Sequence, residues 1–261
     1  MSRDPGSGAA LTLTPPVAVT PDGRITPDCP LDFQAGERVM LCLSHAGRRG
    51  ATRPRAHGAD LPLRDGGWPL VSASPIPYTP RSAVPAELDE TGMARIRDAF
   101  AAAAERAAAA GVAVLELNLA EGYLLGSFLS PLSNRRTDAY GADRLRFPLE
   151  VVAAVRAAWP GPLAARIPAT DWAPGGLQPD DAVAIAGALR EAGCALVHVV
   201  AGHTIAEGRP EYRRGYLTAF SDHIRSEARI ATLVGGYLDT LDAANTIIGA
   251  GRADLCLLEA M

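Results

Sequence analysis

From residue 112 onward, short apolar runs alternate with amphipathic stretches at intervals of about 30 residues. This rhythm is typical of βα units around a parallel sheet. The predicted strands are Val112–Leu117, Leu163–Ile167, Ala195–Val200, Ala231–Gly235 and Ala253–Leu258. The predicted helices are Glu90–Ala110, Arg144–Ala158, Pro179–Ala192, Ser221–Ala228 and Thr240–Ala250.

The first ninety residues have a different pattern. Two segments, Ala10–Val19 and Arg38–Ser44, are predicted to be strands, and the turn-rich residues between them are too few for a crossover helix. Residues 46–85 form a long stretch rich in Arg, Gly and Pro. Because long irregular loops in compact domains usually cover a site, we expect this stretch to lie over one end of the sheet. The chain thus has two predicted strands here and five beyond, whereas a closed (β/α) barrel has eight.

Composition narrows the classes of function. The net charge of −4 and the isoelectric point near 5.8 offer no basic excess for a nucleic-acid partner. All 25 basic residues are arginine, which excludes lysine Schiff-base catalysis and a P-loop lysine. Neither a signal sequence nor a membrane span is indicated, so we expect a cytoplasmic protein without membrane contact. The cysteines are too dispersed to predict a metal site or a disulfide framework: Cys29, Cys42, Cys194 and Cys256.

One long motif indicates a family. Residues 122–141, GYLLGSFLSPLSNRRTDAYG, closely resemble the segment after the fourth barrel strand of the old yellow enzymes. Residues 68–75 and 170–172 look most like the reductase-like half of salicyloyl-CoA hydroxylase and anthraniloyl-CoA monooxygenase/reductase proteins. The further matching motifs are Ser44–Arg48, Arg166, Ala169–Trp172 and Gly251–Asp254.

The resemblance implies a fold and a chemistry. The fold is α/β, a degenerate TIM (β/α)8-type barrel that forms one domain over residues 1–261 and lacks the family's first βα unit and last helix. In the family, FMN at the barrel mouth passes a hydride to an activated alkene, and a tyrosine protonates the other carbon. Tyr123 occupies the position of that tyrosine, and Arg166 that of the arginine facing the flavin's pyrimidine edge. His45 and Gly236 also match the family.

Several positions depart from the family pattern. Cys42 replaces a glutamine that binds the flavin edge, and a thiol cannot supply the amide's donor and acceptor together. Asn118 and Glu121 occupy the positions of two donors that grip the substrate carbonyl, and an ionised Glu121 opposes the negative charge that develops there. Glu259 follows the last predicted strand, where the family has a phosphate-binding arginine, and a carboxylate repels phosphate.

These departures favour a flavin-independent descendant that uses no cofactor. The predicted chemistry is acid/base catalysis, such as isomerisation, dehydration or cyclisation, on a conjugated or aromatic acyl or carbonyl compound. Tyr123 is the predicted general acid and Glu121 the base. A purely structural alternative is that Glu121 and Arg166 form a salt bridge in the space left by the flavin. The predicted substrate-binding residues are Asn118, Arg166, His45 and His203.

Two other functions also fit the sequence. The first is an FMN-dependent ene-reductase, whose cofactor would lie against Cys42, Arg166 and Gly236. The second is a catalytically silent barrel that supports a partner enzyme. The absence of a first strand would leave an open barrel edge. We therefore expect residues 1–10, a second copy of the chain or a partner subunit to cover that edge.

Overall fold

The computed structural model describes residues 11–33, 36–58, 60–209 and 212–258. Its strands are β1 (Thr12–Leu13), β2 (Val17–Ala18), β3 (Val39–Ser44), β4 (Val71–Ser72), β5 (Ala86–Glu87), β6 (Val114–Asn118), β7 (Leu163–Pro168), β8 (Leu196–Val200), β9 (Ala231–Val234) and β10 (Leu255–Cys256). Its α-helices are α1 (Glu90–Ala109), α2 (Leu124–Leu129), α3 (Ala139–Ala142), α4 (Arg146–Ala158), α5 (Pro179–Glu191), α6 (Thr218–Ala228) and α7 (Leu241–Gly249).

One curled, wholly parallel sheet organises the chain. Its strand order is β1-β3-β6-β7-β8-β9-β10. Both β1 and β2 pair with β3: β1 pairs with the first two residues of β3, and β2 pairs with the last two. Within the described residues, β1 and β10 form the two ends of this path and are not paired with each other. The predicted α/β fold of the TIM-barrel type is therefore confirmed. The predicted substitute strand in residues 1–10 lies outside the described residues.

The concave side of the sheet carries an apolar layer. Each strand on this path contributes one side chain to it, or the residue just after the strand does. Because side chains alternate along a strand, the residues two positions further on form the next layer toward the carboxyl ends. In that second layer, β3, β6, β7 and β8 carry polar residues. The apolar layer consists of Leu13, Met40, Val114, Ala164, Leu196, Leu233 and Leu257, and the polar layer of Cys42, Glu116, Arg166 and His198.

The main core lies between the convex side of the sheet and the helices. Helix α1 begins after Asp89, whose carboxylate accepts a hydrogen bond from the Gly92 N–H at 2.7 Å. This N-cap satisfies one of the free N–H groups of the first turn. The buried face of α1 includes Ile96, Phe100 and Ala104, which recur at helical spacing. Because α1 packs against α4, the apolar faces of both helices lie in the core.

One predicted strand was wrong in its bounds, and helix α2 was not predicted. The predicted strand Ala10–Val19 is divided into β1 and β2 because Pro15 and Pro16, which lie between them, have no N–H to donate to β3. Helix α2 was not predicted, since its sequence LLGSFL is buried on every side and lacks the polar face that marks an amphipathic helix.

Residues 46–85 are mostly irregular where they are described. They contain short 3-10 turns, strand β4, which pairs with β5, and one antiparallel bridge between Thr52 and Pro62. Among the described residues, no helix is both long and apolar enough to cross a bilayer.

Candidate active site at the barrel mouth

A buried carboxylate organises the polar layer. Glu116 is fully buried; its Oε2 accepts a hydrogen bond from Arg166 Nη2 at 2.7 Å, and its Oε1 lies 2.7 Å from His198 Nδ1. Burial alone would raise the pKa of Glu116, but the positive charge of Arg166 and the His198 contact lower it to about 2. Glu116 is therefore ionised at neutral pH and fixes both neighbours.

Cys42 lies beside Glu116 on the adjacent strand. Its thiol is fully buried and donates to the Glu116 carboxylate, and burial raises its pKa well above the ordinary value. Cys42 is therefore an inert, protonated thiol rather than an activated nucleophile.

A second group of polar side chains lies one step nearer the mouth. Arg166 Nη1 and Asn118 Nδ2 each donate to Glu121 Oε2 at 3.3 Å. Burial alone would raise the pKa of Glu121, but Arg166, Arg49 and the Asn118 hydrogen bond outweigh it and lower the pKa. The predicted contact between Glu121 and Arg166 is thus present, and Arg166 links both carboxylates.

Tyr123 occupies the N-cap position of α2, immediately after this turn, and is 9% exposed. Burial raises the pKa of its hydroxyl, and the nearby Glu121 carboxylate raises it further. Tyr123 is therefore protonated across the physiological range, which is the state that a proton donor requires.

Backbone strain is concentrated in the turns that follow the strands. Glu121, Trp172, His203 and Tyr237 follow β6, β7, β8 and β9, and their φ angles are 59°, 49°, 60° and 59°. Non-glycine residues rarely adopt this left-handed conformation, and such strain often accompanies functional sites. Four successive strands therefore end in strained turns at the same rim.

In the described part of the chain, neither histidine of the predicted site hydrogen-bonds to the Glu121 carboxylate. The ring of His45 packs against Gly23; its Nδ1 accepts from the Gly47 N–H at 3.1 Å, and burial lowers its pKa to about 4. His203 stacks on Tyr212, whose hydroxyl lies 2.9 Å from His203 Nε2. The substrate-binding roles of both histidines stay predictions.

A cavity of about 310 Å³ opens beside the polar layer. Arg166 and His198 contribute to its wall, together with Gly235 and Gly236 from the turn after β9. Arg166 Nε is buried and has no hydrogen-bond partner among the described residues. As far as the chain is described, Cys42 and Tyr123 do not line this cavity; Tyr123 lies two residues after Glu121, whose carboxylate accepts a hydrogen bond from the cavity-lining Arg166.

Comparison with known proteins identifies the family. A model described as NADH:flavin oxidoreductase / NADH oxidase family matches residues 34–258. The chain belongs to this family. It is 36% identical over 226 residues to an NADPH dehydrogenase of Geobacillus sp. (strain WCH70), covering 85% of this chain and 62% of that protein. An NADPH dehydrogenase of Bacillus licheniformis is 34% identical over 264 residues, covering 94% of this chain and 74% of that protein.

Solved structures share the fold. Morphinone reductase superposes with a TM-score of 0.73 and 23% identity, over 95% of this chain and 72% of that one. The chain spans about three fifths of the length of the first relative (62%).

The site fits FMN. The cavity exceeds the lower limit of about 300 Å³ for small-molecule sites. The unpaired Arg166 Nε can donate to the electron-rich pyrimidine edge of the flavin, and Gly235 and Gly236, which have no side chains, line the same cavity. A Cβ atom at Gly236 would lie 3.1 Å from the Tyr216 ring and would make the cavity narrower at this wall.

The predictions of a flavin-independent function and of no cofactor were therefore wrong. The family and its NADPH dehydrogenase members point to FMN instead. The physical reason lies in the neighbours of the altered positions. The Cys42 thiol hydrogen-bonds to Glu116 and leaves Arg166 in place. Arg166 balances the charge of Glu121, and Asn118 donates a hydrogen bond to it. The predicted repulsion of phosphate by Glu259 concerns a residue outside the described ones.

Two important residues were missed by the sequence reasoning. Glu116 stands in an apolar strand, and the period-two alternation that places it on the same face as Asn118 was a usable signal. Arg49 contacts the turns after β6 and β8, which are distant in sequence, so no local pattern pointed to it.

Proposed function

We propose that this chain forms the catalytic barrel of an FMN-dependent ene-reductase that uses a nicotinamide nucleotide as electron donor. The observation that carries the proposal is the cavity beside Arg166, whose buried Nε is unpaired. A protonated Tyr123 lies two residues after Glu121, which accepts a hydrogen bond from the same arginine. The names of the relatives, NADPH dehydrogenases, support the donor.

The proposed cofactor contacts come from Arg166 and the Gly235–Gly236 backbone. Arg166 Nε would donate to the pyrimidine edge, and the glycine turn would lie against another part of FMN. Bound FMN supplies hydride transfer from the nicotinamide to one carbon of a double bond conjugated to a carbonyl. The protein's task is to orient the substrate, exclude water and deliver a proton to the other carbon.

Tyr123 is the proposed proton donor. Its hydroxyl proton would go to the carbon next to the carbonyl, so the alkene gains one hydride and one proton while the nicotinamide is oxidised. Asn118 is the proposed carbonyl ligand, because its amide has two N–H donors and Glu121 takes one of them. Glu121, held by Arg166, is proposed to orient Asn118.

The substrate is a small conjugated carbonyl compound in this proposal. A conjugated or aromatic acyl group fits the resemblance of residues 68–75 and 170–172 described above. We propose that residues 46–85 cover the mouth, because Arg48 and Arg49 bond to the turns after β6 and β8. A single domain, an oligomer or partner subunit at the β1–β10 gap, and a cytoplasmic location remain predictions.

Absorbance spectroscopy tests the proposal directly. The purified chain should retain or take up FMN in a 1:1 ratio, and anaerobic NADPH should bleach the flavin band. Adding 2-cyclohexenone, a simple conjugated enone, should restore the band and yield cyclohexanone. A chain that refuses FMN, or whose bound FMN neither NADPH nor NADH reduces, would rule the proposal out. The variant Arg166→Gln should bind FMN more weakly, which would connect the cofactor to this cavity.

A further inference from the structure

Arg49 holds together the parts of the mouth that surround Tyr123. It lies in a short 3-10 turn, Gly47–Arg49, just after β3, and its side chain is only 10% exposed. We propose that Arg49 is a positioning residue that fixes the Tyr123 ring for proton delivery. This inference rests on the proposed function, in which Tyr123 is the proton donor.

The first contact is between the guanidinium group and two aromatic rings. Arg49 Cζ lies 4.2 Å from the centroid of the Tyr78 ring and 5.1 Å from that of the Tyr123 ring. Both distances fall within the range of a cation–π contact, which is stronger where water is excluded. Arg49 therefore connects Tyr123 to Tyr78, which belongs to the 46–85 loop.

The second contact is with the strained turns. Arg49 Nη1 donates to the carbonyl oxygen of Glu121 at 2.5 Å and to that of His203 at 3.4 Å. These two residues have left-handed backbones, and Gly122, between Glu121 and Tyr123, packs directly on the His203–Thr204 backbone. One guanidinium group thus bonds both turns, including the turn that leads into Tyr123.

The third contact fixes the guanidinium itself. Nη2 donates to Asp60 Oδ1 at 2.7 Å, so both ends of the planar fork are occupied. A lysine ammonium is a compact charge without this planar fork, so it cannot reproduce the whole set of contacts at once. Neighbouring Arg48 separately bonds to the Thr204 and Ile76 carbonyls. The attachment of residues 46–85 to these turns therefore does not depend on Arg49 alone. A substitution of Arg49 can disturb Tyr123 without releasing the whole segment.

The kinetic test separates the two half-reactions of the FMN-loaded chain. In Arg49→Lys, anaerobic flavin reduction by NADPH should stay within about twofold of the wild type, because that step needs no proton from Tyr123. Flavin reoxidation by 2-cyclohexenone should slow about 100-fold, the loss expected when a reacting group moves by about 1 Å. The matched control is Arg53→Lys. In the wild type, Arg53 Nε donates to the Pro62 carbonyl on the same loop, and this substitution should leave both rates unchanged.

A double-mutant cycle tests whether Arg49 acts through Tyr123. If it does, Arg49→Lys in the Tyr123→Phe background should cause less than about threefold further loss of the reoxidation rate. Losses that multiply, or an equal slowing of both half-reactions, would overturn the inference. A wild-type chain without NADPH-driven flavin reduction would instead contradict the proposed function.

A spectroscopic readout does not depend on turnover. The chain is labelled with 13Cζ-tyrosine, and the Tyr123 resonance is assigned by its loss in Tyr123→Phe. This resonance should shift or broaden in Arg49→Lys and remain in place in Arg53→Lys. An unchanged Tyr123 resonance in folded Arg49→Lys would refute the positioning role even if the chain had no ene-reductase activity.

Discussion

The substitution Glu116→Gln tests the polar layer most directly, because it removes a charge and keeps the shape. Glu116 is fully buried and holds Arg166 and His198 at 2.7 Å each. Its pKa is about 2, whereas the ordinary value is 4.5. A difference of that size corresponds to about 3 kcal/mol of stabilisation at neutral pH. Removal of one partner from a buried ion pair costs about 3–5 kcal/mol in other proteins, which agrees with this value.

The pH dependence of the effect follows from the direction of the shift. Because folding lowers the pKa of Glu116, its contribution is complete above about pH 4.5 and declines as the pH falls toward about 2. Below pH 4.5, the stability difference between wild type and Glu116→Gln should therefore shrink by about 1 kcal/mol per pH unit.

Urea unfolding of both proteins between pH 7 and pH 3.5 measures this difference. At pH 7, Glu116→Gln should be about 3 kcal/mol less stable, equivalent to a lowering of the melting temperature by about 6–12 °C. The matched control, Glu150→Gln, removes an exposed pair with Arg146 and should cost less than about 1 kcal/mol. A loss below about 1 kcal/mol for Glu116→Gln, or a loss that does not change with pH, would refute the reasoning.

Three further predictions concern the rim. Tyr123→Phe should slow enone-dependent flavin reoxidation by about 100-fold or more while flavin reduction by NADPH continues, as stopped-flow absorbance can show. The pKa of His45 is lowered to about 4, so the wild type should lose stability as the pH falls from about 6.5 toward 4, by about 1 kcal/mol per pH unit, and His45→Asn should lack this slope in urea unfolding. Gly122→Ala should destabilise the protein by more than about 2 kcal/mol in thermal unfolding, because its Cβ would meet the Thr204 carbonyl at 2.8 Å. The control Gly111→Ala has a similar φ but lies in open space, and it should cost about 1 kcal/mol.

Much of the fold was predictable because the strands are short apolar runs that recur at regular intervals along the chain, with amphipathic stretches between them. The predicted strand Leu163–Ile167 is observed as Leu163–Pro168, and the predicted helix Pro179–Ala192 as Pro179–Glu191. Register was not predictable, since it depends on which side chains meet across the strands. The pairing of Cys42 with Glu116, which places a thiol against a carboxylate, is fixed only when the sheet forms.

The candidate site was predictable in position but not in its electrostatics. Tyr123, Asn118 and Arg166 stand at the carboxyl ends of barrel strands, where active sites of this fold lie. The sequence does not reveal that Arg166 is shared between Glu116 and Glu121, because Arg166 lies on β7, 50 and 45 residues further along the chain. These contacts of Arg166 help to lower the pKa of both carboxylates, whereas burial alone would raise it.

The charge balance of the mouth explains how the family's chemistry can coexist with the altered residues. Taken singly, Glu121 opposes the negative charge that develops on a substrate carbonyl. In the structure, the carboxylates of Glu116 and Glu121 both bond to Arg166, and the positive charge of Arg49 lowers the pKa of Glu121 further. Cys42 stays neutral because burial raises its pKa. The effect of each altered residue on the charge of the mouth therefore depends on its neighbours, and the residue type alone does not determine it.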